Sequence, residues 1–259
     1  MLDKNRALKL IQGKSWHHDF EIIPGVRTHG AYNPEGLWHE LQLPVDMSGI
    51  SLADVGASNG YFSFEARKRG ARVVAFDFRH KDNSGFGLAQ YINGLSDIEH
   101  HQVNVLDIHL GQYGSFDIVL ALGLLYHTPD PYRALANCAA LSRVRLLIES
   151  YCIDPLLPSP VAAEPVMRFI LDPLRFPRQG QPNKDRSNYW GFTSTCLQCL
   201  VEEVGFTVRR KSVRKDRVLI DARRIVFDDV ATRLDIGYGV RPRVVVGENV
   251  DDPKAWTIF

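Results

Sequence analysis

The sequence has 259 residues, of which 45% are hydrophobic and 24% are charged, and its formal net charge is +1. A chain of this length can bury one substantial core, and the composition is that of an ordinary globular protein. The near-neutral charge excludes a global electrostatic field that would recruit nucleic acid or an anionic membrane, so a polyanion could be held only by a local patch.

Cysteine usage and hydropathy indicate a cytoplasmic protein. Four cysteines are too few for a disulfide framework, and no secretory signal peptide is recognisable, so we expect reduced thiols. Cys196 and Cys199 lie in a helix-like apolar run without a second pair of ligands, which favours packing residues over a redox or metal site. No apolar run reaches the length of a membrane span, and no membrane association is expected.

The first fifty residues predict a helix followed by a cap segment. Residues 1–12 alternate Leu and Ile with charges, as in a short amphipathic helix. Residues 13–36 are rich in Gly, Pro, His and aromatic residues and predict a loop or hairpin. Residues 36–45 predict another helix that ends near Pro44.

From residue 51 to residue 259 the pattern predicts one α/β unit. Short buried strands alternate with helices, which indicates a mostly parallel sheet covered by helices on both faces. The predicted strands are residues 51–56, 71–78, 100–108, 116–127 and 145–153, and the predicted helices are residues 60–70, 85–95, 130–141 and 193–206.

Two stretches depart from this alternation. Residues 154–190 are rich in proline and end in a polar run, and a long insertion between sheet elements is typically a lid or a substrate loop. The stretch after residue 206 is strand-like and basic. Its run "RRKSVRKDR", residues 209–217, could contact a phosphate, although the charged side chains of a strand more often face solvent.

The first predicted strand ends in a turn that suits a nucleotide cofactor. Asp54, Gly56 and Gly60 have the spacing D-x-G-x-x-x-G, and the N-terminus of the following helix favours negative charge. Asp77 ends the second strand, where a carboxylate can accept hydrogen bonds from both ribose hydroxyls. These features suit either a nicotinamide cofactor or S-adenosylmethionine.

The order of the remaining motifs resembles the Class I methyltransferases. After the glycine turn come "NVLD" at 104–107 and "FDIV" at 116–119, which follow the family's adenine loop and fourth strand. The run "GLLYHTPDP" at 123–131 is similar to the G-x-L-Y-H-x-x-x-P motif of a branch that includes the tRNA wobble-uridine carboxymethyltransferases and relatives without assigned substrates. Residues 15–30 and 188–206 resemble further segments of those relatives.

This resemblance implies a Rossmann-like methyltransferase sandwich with an N-terminal cap segment and an inserted lid. It implies S-adenosylmethionine as the cofactor. The predicted cofactor-binding residues are Asp54, Gly56, Ala57, Ser58, Gly60, Tyr61, Asp77, Phe78, Asn104, Val105, Leu122 and Gly123.

Three histidines are candidates for a proton acceptor. His127 follows the fourth strand, at the edge of the sheet where ligands bind, although it could instead cap a turn or orient Tyr126. His18 and His29 lie in the cap segment, where a histidine is more often solvated. The predicted substrate-binding residues are Trp16, Tyr126, Arg186, Tyr189 and Trp190, and no metal site is predicted.

The acceptor is predicted to be a small molecule such as a sugar or polyketide, methylated on oxygen. In the tRNA enzymes a lysine of the motif W-R-K-G holds the extra carboxylate of carboxy-S-adenosylmethionine, whereas residues 16–19 here read Trp-His-His-Asp. That difference favours the ordinary cofactor and makes nucleic acid the less favoured partner. A tRNA uridine remains the alternative acceptor, and a cofactor-binding partner without turnover is a third reading. No oligomeric state is predicted.

Overall fold

The computed structural model describes residues 2–170 and 187–225. A seven-stranded sheet forms its centre. Its strands are β3 (Ser51–Val55), β4 (Arg72–Asp77), β5 (Glu99–Gln102), β6 (Phe116–Leu122), β7 (Ser142–Tyr151), β10 (Phe206–Arg214) and β11 (Arg217–Arg224). They lie in the order β10-β11-β7-β6-β3-β4-β5. The pairs along β7-β6-β3-β4-β5 are parallel, and β11 pairs antiparallel with both β7 and β10.

Helices cover both faces of this sheet. The strand β3 is buried along its whole length, as expected of a central parallel strand, and its alternate residues Leu52 and Ala53 enter two separate hydrophobic clusters. The predicted α/β sandwich with a mostly parallel sheet is therefore confirmed. The helices are α1 (Lys4–Ile11), α2 (Glu35–Glu40), α3 (Tyr61–Lys68), α4 (Lys81–Ser84), α5 (Phe86–Asn93), α6 (Leu110–Tyr113), α7 (Pro131–Leu141), α8 (Ser159–Ala162) and α9 (Ser194–Glu203).

The N-terminal residues share one hydrophobic cluster with the sheet. The helix α1 and the small hairpin of β1 (Glu21–Ile23) and β2 (Val26–Arg27) bury Ala7, Ile22 and Val26 against α3 and α5. A buried guanidinium fixes α2 to the sheet. Arg145 on β7 binds the Asp221 carboxylate on β11 at 2.7 Å and donates to the Leu41 carbonyl at 2.7 Å.

Two predicted strands end earlier than the sequence pattern indicates. The third stops at Gln102 because Asn104 accepts a hydrogen bond from the Leu106 amide at 3.0 Å and starts a 3₁₀ turn. The fourth stops at Leu122 because Gly123 adopts a left-handed φ of 67°, after which residues 125–127 form another 3₁₀ turn.

The described parts of the predicted lid form a short helix and a two-stranded sheet. The strand β8 (Met167–Phe169) pairs antiparallel with β9 (Trp190–Phe192). Residues 171–186 and 226–259 lie outside the described residues. Within the described residues, no helix is both long and apolar enough to cross a membrane.

Candidate functional site

A cavity of about 870 Å³ opens at the carboxyl ends of β3, β4 and β6. Its volume lies in the range of small-molecule sites. The strand β3 lies between β4 and β6, so the chain crosses over in both directions from this point. Ligands of open α/β sheets bind at such switch points. Residues of the cap segment and of the β10–β11 hairpin complete the lining.

The glycine turn after β3 forms one wall of the cavity. Gly56 and Ser58 have left-handed φ values of 85° and 53°, and the Gly56 amide donates to the Phe76 carbonyl at 2.8 Å. Asp54 lies beneath the turn and accepts a hydrogen bond from the Ser63 hydroxyl at 2.6 Å. Burial raises the pKa of Asp54 to about 6.

Gly60 is required by packing inside the protein. Its φ is 89°, and a Cβ built there would lie 2.7 Å from ring atoms of both Phe64 and Phe86. The bare backbone at this point lets α3 begin directly against α5.

Asp77 joins the glycine turn to the end of β4. Its Oδ2 accepts from the Ser58 amide at 2.8 Å, and its Oδ1 accepts from the Arg79 amide at 2.8 Å and from Arg79 Nε at 3.3 Å. An ionised carboxylate has about four acceptor positions, so about one remains. One ribose hydroxyl fits this arrangement, and a second fits when the half-exposed Arg79 side chain moves aside.

The next part of the lining is suited to an adenine ring. Phe78 is 68% exposed although it is a large aromatic residue, and it lines the cavity together with Asn104 and Val105. An exposed ring beside a carboxylate and a glycine turn provides a stacking surface, a ribose acceptor and backbone amides. This set of groups fits the adenosyl and amino acid parts of S-adenosylmethionine.

The cap segment is held over the cavity by one buried side chain. The Asn59 Oδ1 accepts hydrogen bonds from the His17 amide at 2.6 Å and from the His18 amide at 3.0 Å. Its Nδ2 donates to the Ser84 carbonyl. Asn59 therefore connects the glycine turn, the cap segment and α4.

His18 lines the cavity as a neutral ring. Burial, with smaller contributions from His17 and Arg79, lowers the pKa of His18 to about 3. Among the described residues its Nδ1 has no hydrogen-bond partner. At neutral pH the ring is uncharged and is a weak proton acceptor.

The opposite wall carries an ion pair that the sequence did not reveal. Glu149 on β7 is buried, and both its carboxylate oxygens bind the guanidinium of Arg217 on β11. The distance from Arg217 Nη2 to Glu149 Oε2 is 2.6 Å, and the same Nη2 donates to the Tyr126 hydroxyl at 3.2 Å. A Cβ at Gly123 would lie 3.6–3.9 Å from all three side chains, which places them at the end of β6.

The cavity brings together two thirds of the predicted site residues. His127 lies beside Tyr126, with its Nδ1 2.9 Å from the Ser187 hydroxyl. The predicted residues that line the cavity are His18, Asp54, Gly56, Ser58, Asp77, Phe78, Asn104, Val105, Leu122, Gly123, Tyr126, His127 and Tyr189.

Six described residues of the predicted site lie outside the lining for identifiable reasons, and a seventh predicted residue is not among the described residues. Ala57, Gly60, Tyr61 and Trp16 pack inside the protein, and Trp16 Nε1 donates to the Ile11 carbonyl at 3.3 Å. The indole of Trp190 donates to the Pro129 carbonyl at 3.2 Å, so this side chain anchors the described end of the lid. The exposed His29 takes a left-handed φ of 53° in a cap-segment turn, and Arg186 falls outside the described residues.

Comparison with protein families identifies the central part of the chain. Residues 53–144 match the family described as "Methyltransferase domain". These residues form a methyltransferase domain. The match covers the glycine turn, Asp77, the adenine loop and the Leu-Tyr-His motif, so the predicted resemblance to Class I methyltransferases and the predicted cofactor, S-adenosylmethionine, are confirmed.

Two curated relatives of the methyltransferase domain differ in their acceptors. The chain is 31% identical over 140 residues to "Ubiquinone biosynthesis O-methyltransferase" of Bordetella avium, which covers 54% of this chain and 55% of that protein. It is 31% identical over 145 residues to "tRNA U34 carboxymethyltransferase" of Helicobacter pylori, with 54% and 56% covered. The chain thus spans about half the length of the curated relatives it matches.

Solved structures share the fold of the methyltransferase domain at low identity. The N-terminal domain of EvdMO1 with SAH bound superposes with a TM-score of 0.59 at 17% identity, over 86% of this chain and 97% of that one. An S-adenosylmethionine-dependent methyltransferase from Mesorhizobium loti gives a TM-score of 0.54 at 20% identity, over 72% and 97%.

Proposed function

We propose that the protein is an S-adenosylmethionine-dependent methyltransferase that methylates an oxygen atom of a small molecule. The observation that carries the proposal is that the cofactor-side residues and a polar wall line one cavity of about 870 Å³ and meet at Gly123. Two similar proteins favour this acceptor class. One is the ubiquinone biosynthesis O-methyltransferase, and the other is the EvdMO1 domain, which was also solved in the presence of SAH and D-fucose.

The chain's own residues would hold the cofactor at the ends of β3 and β4. Asp77 would accept a ribose hydroxyl, Phe78 would stack on the adenine, and the backbone of the turn at Gly56 would face the amino acid part. When bound, S-adenosylmethionine supplies a methyl group activated by the positive sulfur. The rate then depends largely on how well the acceptor oxygen is positioned against that methyl group.

Methylation of a hydroxyl oxygen releases its proton, which needs an acceptor. We assign this role to His127, which lies on the cavity wall beside Tyr126. His18 is the weaker candidate because a group with a pKa of about 3 accepts a proton poorly at neutral pH. His29 lies outside the lining, in the cap segment.

A tRNA uridine is the alternative acceptor. The Helicobacter pylori relative and the Leu-Tyr-His motif support it. The basic run supports it less, because the side chains of Arg210 and Arg214 both bind Glu40. Among the described residues, Arg209 and Lys211 are the exposed cations of β10 outside these contacts, and two such residues make a short track for a polyanion.

Two measurements test the proposal. Mass spectrometry of the ligand that copurifies with the protein, with calorimetry against S-adenosylmethionine, its carboxy form and NAD, establishes the cofactor. Transfer of labelled methyl groups to hydroxylated small molecules and to bulk tRNA then establishes the acceptor class. We expect tight binding of the plain cofactor and label in a small molecule. Label in tRNA that decreases steeply with salt would instead favour the alternative.

A further inference from the structure

The ion pair between Glu149 and Arg217 is placed where an acceptor would bind. We propose that the Glu149 carboxylate, oriented by Arg217, binds adjacent hydroxyl groups of a sugar-like acceptor. This inference rests on the proposed function and narrows its substrate class to polyhydroxylated small molecules.

The burial of Glu149 needs an explanation beyond stability. It follows three fully buried apolar residues of β7, Leu146–Ile148, and its own side chain is 7% exposed. The Arg217 side chain is 35% exposed, and the cost of removing the Glu149 charge from water offsets much of their attraction, so the pair is a weak source of folding free energy. A charged pair facing a cavity is better explained by a ligand.

A second buried pair on the same two strands provides the comparison. Arg145 and Asp221 lie away from the cavity lining, and the remaining N–H groups of Arg145 donate to the carbonyls of Leu41 and Gln42. The hydrogen bonds of that pair therefore join the end of α2 to the sheet. By contrast, Arg217 donates to Glu149 and Tyr126 through Nε and Nη2, and its Nη1 donates to no other described residue.

Glu149 retains capacity to accept further hydrogen bonds. Each of its oxygens takes one N–H from Arg217, and among the described residues no other side chain donates to it. About two of its four acceptor positions therefore remain, one on each oxygen. Two acceptor positions on one rigid carboxylate match two adjacent hydroxyl groups, as when a carboxylate binds a ribose.

The surroundings of the pair favour a neutral, ring-shaped ligand. Arg217 is already neutralised by Glu149, so the pair offers little net attraction to an anionic acceptor. Tyr32 and Tyr189 line the cavity and are 40% and 38% exposed. Their ring faces provide apolar surface for the carbon skeleton of the ligand.

The test uses D-fucose as the probe, because its ring carries adjacent hydroxyls, and tetrahydropyran as the same ring without hydroxyls. Saturation-transfer NMR is recorded on the full chain with saturating S-adenosylhomocysteine, for the wild type, Glu149→Gln and Asp97→Asn. Asp97 pairs with Arg67 in an exposed ion pair outside the cavity, so its variant controls for the loss of one negative charge. Calorimetry with S-adenosylhomocysteine reports in parallel whether each variant is folded.

We expect D-fucose, and not tetrahydropyran, to bind the wild type and Asp97→Asn, and to bind Glu149→Gln at least about tenfold more weakly. Glu149→Gln should keep its affinity for S-adenosylhomocysteine within about twofold. Absence of D-fucose binding to the wild type, or equal binding to Glu149→Gln, would overturn the assignment.

A failure of the proposed function has a different signature: either the wild type does not bind S-adenosylhomocysteine, or the labelled methyl group goes to tRNA and not to hydroxylated small molecules. If Glu149→Gln leaves Arg217 unpaired and does not fold, the double variant Glu149→Met, Arg217→Met replaces both charges at similar volume. Replacements of this kind are often neutral or stabilising. The double variant should bind S-adenosylhomocysteine and lose D-fucose, and retention of D-fucose would again overturn the assignment.

Discussion

Replacement of Asn59 by Ala should separate the cap segment from the glycine turn. The side chain satisfies the amides of His17 and His18, at 2.6 and 3.0 Å, and alanine offers neither hydrogen bond. A buried N–H left without a partner costs about 1–3 kcal/mol. The full cost applies at the buried His18, whereas water can partly satisfy the exposed His17. We therefore expect a loss of about 2–4 kcal/mol in the free energy of unfolding.

The assay is urea unfolding with linear extrapolation, combined with amide hydrogen exchange. Asn33→Ala is the matched control, because Asn33 also accepts a backbone N–H, from Glu35 at 2.9 Å, but at an exposed position. Asn33→Ala should lower the free energy of unfolding by at most about 1 kcal/mol, since water replaces the lost amide oxygen as the acceptor. In Asn59→Ala the backbone amides of residues 17 and 18 should exchange faster than in the wild type. The exchange rates of the β3 amides should change only as much as the free energy of global unfolding changes.

Equal stability of Asn59→Ala and Asn33→Ala, together with unchanged exchange at residues 17 and 18, would refute this reasoning. That result would mean that the contacts of α1 and the small hairpin are enough to hold the cap segment in place.

Four further predictions follow from the same contacts. Gly60→Ala should lower the free energy of unfolding by about 2–4 kcal/mol, because the added methyl group would collide with two phenylalanine rings and the backbone φ is 89°. Gly94→Ala is the control, because Gly94 has a φ of 77° but open space around its Cβ position, and it should lower the free energy of unfolding by only about 1–2 kcal/mol. Equal losses for the two variants in urea unfolding would contradict the steric argument. Asp77→Ala should weaken the binding of S-adenosylmethionine more than tenfold, and unchanged affinity by calorimetry would remove Asp77 from the site. Because the pKa of His18 falls from 6.5 to about 3 on folding, the unfolded chain binds more protons between these values and stability falls as pH falls. His18→Phe should remove this loss of unfolding free energy, which amounts to up to about 1.4 kcal/mol per pH unit. An unchanged pH profile of the free energy of unfolding would contradict the prediction. For Asp54 the sign is opposite, because its pKa rises from 3.8 to about 6 on folding, so the free energy of unfolding falls as pH rises between these values. Asp54→Asn should remove that fall. An unaltered dependence of the free energy of unfolding on pH would refute this prediction.

The residues that we propose for the cofactor could be expected to lie together because their signals are local in the sequence. Asp54, Gly56 and Asp77 each follow the buried run of a parallel strand, and parallel strands place their carboxyl ends at one edge of the sheet. The alternation of strands and helices is enough to bring these positions together.

Other predicted residues lie outside the cavity lining because periodicity does not show which side of a turn faces a cavity. Tyr61 follows the glycine turn directly, yet the helix α3 directs it towards Phe20 and Trp38. The role of Asn59 could not be predicted from the turn alone, since it depends on the amides of residues 17 and 18, about forty residues earlier in the chain.

The Glu149–Arg217 pair, which we propose for the acceptor, could not be predicted because it is formed by register between distant strands. Glu149 pairs across the sheet with Leu219, so Arg217 is its diagonal neighbour on the same face. In the sequence Arg217 is one cation in a basic run, and only the hairpin turn at Lys215 and Asp216 places it at the cavity.

The family match ends before the two charged residues of the proposed acceptor site. Residues 53–144 contain Asp54, Asp77 and Tyr126, whereas Glu149 and Arg217 lie beyond them. The matched segment thus contains the residues that we propose for the cofactor, together with Tyr126 and His127, and the charged pair that we propose for the acceptor lies on strands outside it. Relatives with similar central segments can therefore methylate different acceptors, and identity across residues 53–144 carries little information about the acceptor of this chain. The side chains at the end of the β7–β11 pair are the ones to compare when an acceptor is assigned.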